Sequence, residues 1–440
     1  MNDSSKATSR PDSLTGVVAA FEGLRDACIL LNGPSACRSY VAYLSGLLQT
    51  PTHGAATFSR VVDSFFSQRR VPCTCIDGQD FIYGTEEKVT KALTVLDANN
   101  YRLVGLVNHS GTSLIGDDLN RFVKTSKIKA PTVVIESSGF TGTYADGFKE
   151  ATIKILNCIT EKIPKKIPKS VNIVGPTLFH YNWENDVNEI KRTLNLLGIN
   201  VISTICVGES VGNLKRASQA ELNLVLYEEF GDTVATYLEK ACQIPSIGLD
   251  LSAPFGLSAS ETWFMSVADF FGVSRNMVDS ESKRVRMKCY PAIKKTANSL
   301  KGASFGLFGD SSQVMPLLSF LYEYLGLYPV VIGLKEVGPK CLHRLRTYVA
   351  ANSLDTTILT QPDQYETVAS LKERAPRFIF GTAAEAYLSR TLGPTVPAFI
   401  PVSYPYYNRV TLTPRPLIGF NGVLTIIEDI LNSHGRFQHA

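Results

Sequence analysis

Ser304-Phe305-Gly306-Leu307-Phe308-Gly309-Asp310-Ser311-Ser312 is an apolar run without polar alternation, closed by a tight polar turn. Val314, Leu317, Leu318, Leu321 and Leu325 follow at helical spacing, which predicts a helix over Ser312 to Leu325. A short strand covered on both faces, a glycine turn and an amphipathic helix form the repeating unit of a parallel α/β sheet. The turn is open to two readings. One is an anion or cofactor site at a helix N-terminus; the other is an ordinary strand-to-helix turn, since the dinucleotide pattern GxGxxG is missing.

The same pattern extends outward in both directions. Leu103 to Asn108, Ala130 to Glu136, Ser170 to Gly175, Ile199 to Cys206, Tyr328 to Gly333 and Arg377 to Gly381 read as further buried strands. Ser210 to Phe230 reads as a second long helix. Glu161 to Lys169, with Pro164 and Pro168 among lysines, reads as a linker, and a second break falls around Pro291 to Gly302. The chain has 440 residues, enough for about three domains. The expected architecture is α/β, with three Rossmann-like domains at 14–160, 170–295 and 300–440, each a parallel sheet flanked by helices.

Composition removes several classes of function. Hydrophobic residues make up 44% and charged residues 19%, which excludes wholesale disorder. The 44 Lys and Arg exceed the 40 Asp and Glu by only four, too few to argue for nucleic acid. No apolar run reaches the roughly 18 residues of a membrane helix. The polar stretch Met1 to Ser13 lacks the apolar core of a signal peptide, so a cytoplasmic protein is expected. Nine cysteines are too sparse for a disulfide scaffold, and no CxxC or HExxH spacing occurs. Cys73-Thr74-Cys75 is the one close pair. The P-loop pattern GxxxxGK(S/T) is missing, so any ATP consumed is hydrolysed by another polypeptide.

Several segments, in order, resemble the nitrogenase component 1 family. Asn32-Gly33-Pro34-Ser35-Ala36-Cys37 is similar to its HGxxGC cluster-binding turn, and Asp80-Phe81-Ile82-Tyr83-Gly84-Thr85-Glu86-Glu87-Lys88 to its DVIFGGxxK turn. Leu114-Ile115-Gly116-Asp117-Asp118 is its LIGDD. Pro254-Phe255-Gly256-Leu257 with Thr262 and Phe264 resembles a segment of the β-type subunits. Lys301 to Asp310 and Pro401 to Gly422 resemble two further β-type segments. The resemblance implies three Rossmann-like domains, a paired α-type subunit and an iron–sulfur cluster, expected to be 4Fe–4S, at the subunit interface. It also implies electrons from a separate ATP-dependent iron–sulfur reductase protein.

Family subunits that hold the cluster fully present three cysteines. The corresponding places here are Asp12, Cys37 and Ser110, so one thiolate survives, and Cys37 is the expected metal ligand. Iron–sulfur clusters favour thiolates because soft sulfur suits iron. Cys73 and Cys75, in the loop before Asp80, either stand in for lost ligands or are buried in a strand. His109, beside Ser110, is either a proton donor near the cluster or a capping histidine at a strand end. Tyr227 falls where a cofactor-holding cysteine would sit, which argues against a cofactor held by thiolate and imidazole on this chain. Ser403 to Arg415, rich in Tyr, Arg and Pro, reads as an interdomain or subunit contact. No catalytic residue is assigned. Two functions fit: the β-type subunit of a nitrogenase-like oxidoreductase, or one half of a scaffold for metallocofactor assembly.

Overall fold

The computed structural model describes residues 11–36, 70–136, 142–160, 165–390, 396–406, 409 and 411–435, without the side chains of 296–299, 434 and 435. Its strands form three sheets in which every ladder is parallel. The first has the order β1-β2-β3, from Ala27–Asn32, Leu103–Asn108 and Thr132–Ile135. The second, β5-β4-β6-β7, comes from β4 Ser170–Val174, β5 Asn200–Thr204, β6 Leu222–Val225 and β7 Ser246–Ile247. The third is β10-β9-β8-β11-β12, from β8 Ser304–Gly309, β9 Tyr328–Leu334, β10 Thr357–Thr360, β11 Phe378–Gly381 and β12 Ala398–Pro401. Strands β1, β2, β4 and β6 are buried along their whole length, which is why their sequences do not alternate.

The expected helix over Ser210 to Phe230 is not one element. Val211–Lys215 is helical, Arg216–Gln219 is a 3-10 turn, Leu222–Val225 is β6, and a new helix runs over Glu228–Cys242. The apolar residues Val211, Leu214, Leu222 and Val225 happen to fit helical spacing. Tertiary pairing overrides that pattern. Asn223 of β6 accepts from Asn172 Nδ2 of β4 at 3.0 Å and donates to Ile244 O at 3.2 Å, so a polar residue is satisfied inside a buried sheet. The helix Asn276–Leu300 continues through Pro291, and the turn comes later, with Gly302 at φ +75°. The helix begun at Ser311 changes to a π turn over Phe320–Tyr324.

Two helices bring the sheets together. Ser13–Glu22 is buried at every residue and lies against Tyr144–Ile159. Their approach needs glycine: a Cβ on Gly147 would fall 1.8 Å from Ser13 O, and one on Gly16 would fall 2.0 Å from Tyr144 O. Gly147→Ala is therefore expected to cost about 3 kcal/mol by overpacking, read as a lowered denaturation midpoint. An unchanged midpoint would contradict this packing. At the other end, Gly419–Gly435 returns to pack on Trp183–Leu196 and Asn276–Leu300. The buried Asp186 carboxylate accepts from Leu417 N at 2.5 Å and Ile418 N at 3.3 Å, fixing the entry to that last helix.

Candidate cluster site at the first sheet edge

The C-terminal ends of β1 and β2 carry the turns singled out in the sequence. In open parallel sheets this edge is where ligands bind. Asn32 closes β1, pairs in register with Asn108 of β2 and is fully buried. Its Nδ2 donates to Thr85 Oγ1 and Asn108 Oδ1, each at 2.9 Å, and its Oδ1 accepts from Thr74 Oγ1 at 2.8 Å. Thr85 passes the network on to Asp117 Oδ2, through its hydroxyl at 2.6 Å and its N–H at 2.9 Å. One buried asparagine thus joins the Gly33-Pro34 turn, the Cys73–Cys75 segment, the turn after Asp80 and the Asp117-Asp118 loop. Gly33 is needed at the start of the turn, since a Cβ there would lie 2.8 Å from His109 Cβ.

Each predicted site residue has a definite place, with one exception. Cys37 lies outside the described residues, immediately after Ala36. Cys73 forms a bridge with Leu31, is partly buried, and places its Sγ 3.0 Å from Gly33 O and 3.7 Å from Pro34 O. Cys75 is exposed, adopts φ +54°, and its N–H donates to Cys73 Sγ at 3.4 Å. Burial in a strand therefore does not describe Cys75. Lys88 steadies the following loop, donating to Asp80 at 2.6 Å, Asp77 at 3.0 Å and Cys75 O at 3.4 Å.

Asp12 caps the helix Ser13–Glu22: its Oδ1 accepts from Thr15 N at 2.9 Å and Thr15 Oγ1 at 2.7 Å. Ser110 opens the short helix Ser110–Ser113, and its carbonyl accepts from Ser113 Oγ at 2.7 Å. His109 is the cap of that helix, with Nδ1 accepting from Gly111 N at 3.3 Å. Burial lowers its pKa, and the charge of Asp12 partly offsets this. The imidazole is neutral near pH 7, as its capping role requires, and Asp12 lies near enough for its charge to act on the ring.

Asn32, Thr85 and Asp117 form the hub of this edge, a role the sequence did not disclose. Each stands inside a recognised motif, but their mutual contact crosses 53 and 32 residues of chain.

Among the described residues this edge carries two thiols, those of Cys73 and Cys75. Cys73 and Cys75 bring soft sulfur to the turn that leads to Cys37, whereas the buried Cys28, Cys206 and Cys341 have thiols pushed up to about 12 by desolvation. Among the described residues, no group of three or more His, Cys, Asp or Glu converges as a metal site.

The Gly309-Asp310-Ser311-Ser312 turn, for which an anion site was one reading, is closed by the protein itself. Glu229 accepts from Ser311 Oγ at 2.5 Å, Ser312 N at 2.6 Å and Ser312 Oγ at 2.6 Å. The adjacent Glu228 accepts from Lys340 N at 2.9 Å and Cys341 N at 2.8 Å, at the start of the helix Pro339–Ala351. Two helix N-termini beside the third sheet are thus filled by carboxylates from the helix that follows β6. The neighbouring space is filled as well. Tyr227 stacks on His180 with ring centres 3.7 Å apart, and Phe230 and Phe255 pack around them. His180 accepts from Thr177 N at 2.9 Å and is held neutral, its pKa lowered to about 3 by burial. The Tyr-rich loop packs on the segment after β4, with Tyr404 against Phe179 and Tyr406 against Tyr181.

Residues 13–434 match the family described as nitrogenase component 1 type oxidoreductase. A subunit of the light-independent protochlorophyllide reductase of Nostoc punctiforme is 24% identical over 400 residues, covering 86% of this chain and 76% of that protein. The equivalent protein of Cereibacter sphaeroides is 25% identical over 320 residues, covering 72% and 58%. That of a Synechococcus species is 27% identical over 259 residues, covering 59% and 48%. The matches thus span from about half to about three quarters of these relatives' length. Among solved structures, nitrogenase Cp1 at pH 6.5 superposes with a TM-score of 0.80 at 18% identity, covering 97% of this chain and 92% of the other. That likeness is one of fold. With a single family spanning the chain from its first described helix to its last, this protein belongs to the nitrogenase component 1 type oxidoreductases.

Proposed function

We propose that the chain is the β-type subunit of a nitrogenase-like oxidoreductase of the cytoplasm. It pairs with an α-type subunit around an iron–sulfur cluster of the 4Fe–4S type and receives electrons from an ATP-dependent iron–sulfur reductase protein. The observation that carries this reading is the convergence, through Asn32, of the three family turns at one sheet edge. Beside that edge, Phe81, Ile82 and Tyr83 are 48%, 75% and 84% exposed, and Leu114 on the adjoining loop is 76% exposed. Four large apolar side chains left in water next to the candidate site suit a surface that a partner covers.

A bound cluster supplies one-electron transfer, with a potential set by ligand type and burial. The chain's own residues do the positioning. Cys37 is the ligand at the family position, Asn32 fixes the start of the turn that precedes it in sequence, and neutral His109 stands at the start of the neighbouring turn. Asp12 and Ser110, at the other two family positions, are oxygen-bearing and occupied in capping or opening helices. The α-type partner is therefore the main ligand donor, and substrate is reduced on the partner or between the subunits. The single cysteine at the family positions also suits a scaffold subunit for metallocofactor assembly.

The test is electron acceptance. The purified pair is mixed anaerobically with its reductase protein and ATP, and the cluster's EPR signal is followed. An ATP-dependent change in that signal, with turnover of an offered substrate such as protochlorophyllide, supports the oxidoreductase. A pair that takes up no electrons, but releases a metal cluster to an acceptor protein, supports the scaffold.

A further inference from the structure

We propose that a cleft between helices of the second and third sheets binds a small uncharged molecule, about one ring in size, through an acceptor oxygen on that molecule. The cleft is separate from the cluster edge, and the proposal does not rest on the cluster. One wall is the start of the helix Leu257–Phe270, which follows β7. The other is the helix Ser311–Ser319, which follows β8, with its π turn Phe320–Tyr324. The motif Pro254-Phe255-Gly256-Leu257 with Thr262 has no part in the cluster edge. Here it supplies much of the first wall, where Phe255, Leu257 and Thr262 all line the cleft.

Both walls are built to leave this space. Gly256, at φ +78°, seats the first wall on the π turn, where a Cβ would fall 2.6 Å from Phe320 Cβ. Beyond that contact the helix lines the cleft with Ser258, Ala259 and Thr262, where larger apolar side chains would close the gap. In the facing wall, Pro316 lacks the N–H that would reach Ser312 O, and the π turn widens the helix. Two irregularities of one helix thus fall at one cleft, and π turns within α-helices concentrate at functional sites.

Size and lining define the ligand. The cleft holds about 170 Å³, whereas a cavity of roughly 150 Å³ accepts benzene. Phe255, Leu257, Met315 and Phe320 give a ring an apolar floor. No charged side chain is among the described residues that line it. The nearby Arg286 is held by Glu261 at 3.0 Å and lies 5.9 Å from the centre of the Tyr324 ring. An ionic ligand would find no counter-charge, so the ligand is neutral. Ser258 Oγ and Tyr324 Oη lie 2.6 Å apart between the two walls. One hydroxyl donates in that bond, which leaves the other's O–H for an acceptor oxygen on the ligand. Phenols and ring ketones have this chemistry.

The test titrates para-fluorophenol into the full chain and follows the fluorine NMR line of the probe. Thr262→Leu fills the cleft, and Tyr324→Phe removes one hydroxyl of the pair while keeping the ring. Thr94→Leu, an exposed position on the helix Glu86–Ala98, is the control. Wild type and control are expected to saturate at one site in the millimolar range. Thr262→Leu is expected to weaken binding by about tenfold or more, and Tyr324→Phe by about fivefold. Thr262 is exposed, so its variant keeps the fold, which an unchanged urea midpoint confirms. If that midpoint falls, Tyr324→Phe decides the matter. A probe signal that does not saturate in wild type, or binding of wild-type strength in the deciding variant, overturns the site. Either result leaves the cluster reading untouched.

Discussion

Cys37→Ala empties the cluster site: iron per complex falls by at least half, and electron acceptance from the reductase protein is abolished. Cys37 is the one thiolate at the three family positions, and it follows a turn whose first residue, Asn32, is held from three directions by Thr85, Asn108 and Thr74. Loss of a thiolate cannot be offset by a nearby carboxylate, because Asp12 is committed to its helix. The effect appears in iron content and not only in activity, since metal binding and folding of the two chains are coupled. A full complement of iron in the purified variant would sink the assignment of Cys37 as a ligand.

Glu229→Ala carries the largest expected loss of stability, about 3–5 kcal/mol, because it leaves three buried hydrogen-bond donors of Ser311 and Ser312 without their acceptor. Glu229 accepts three hydrogen bonds from Ser311 and Ser312, and together with Glu228 it holds the third sheet's helices to the second. Burial, followed by the charge of Asp310, raises its pKa from 4.5 to about 7, against the pull of the serine hydrogen bonds. A folded-state pKa raised above its unfolded value contributes stability that is complete below the unfolded value and is lost as pH rises through the folded one. Wild-type stability should therefore fall between pH 5 and pH 8, with a shallower slope in the variant. Some slope remains because Asp310, also raised to about 7 by burial, titrates in the same window. Urea midpoints at the two pH values measure both effects. A variant within 1 kcal/mol of wild type at pH 5 would show that the carboxylate is not what joins the two sheets.

The sheets whose strands are short and apolar throughout were legible in the sequence. Ser304 to Gly309, Leu103 to Asn108 and Ser170 to Val174 are found within a residue of their expected bounds. Strand β6 was not, because Leu222 and Val225 continue the helical spacing of Val211 and Leu214, and only pairing with β4 and β7 separates the two. Strand β1, Ala27–Asn32, was missed because Ala, Cys and Leu suit a helix equally well.

The site shows the same division. The turns were visible as motifs, but the hub that joins them was not, since Thr74 reaches Asn32 across 42 residues. Glu228 and Glu229 fell at the end of the expected helix Ser210 to Phe230, whereas they open the helix Glu228–Cys242. Their actual partners, Ser312 and Lys340, lie 83 and 112 residues further along the chain. The exposure of Cys75 also needed the fold, because cysteine looks the same in sequence whether it is packed or presented to solvent.

Anaerobic size exclusion with iron quantitation tests the central claim most directly. The chain is run alone and then co-expressed with its α-type partner. The β-type reading predicts that the chain alone elutes without a stable cluster, and that the pair elutes as a heteromer carrying iron and sulfide. A homodimer of this chain that carries an intact cluster would contradict it.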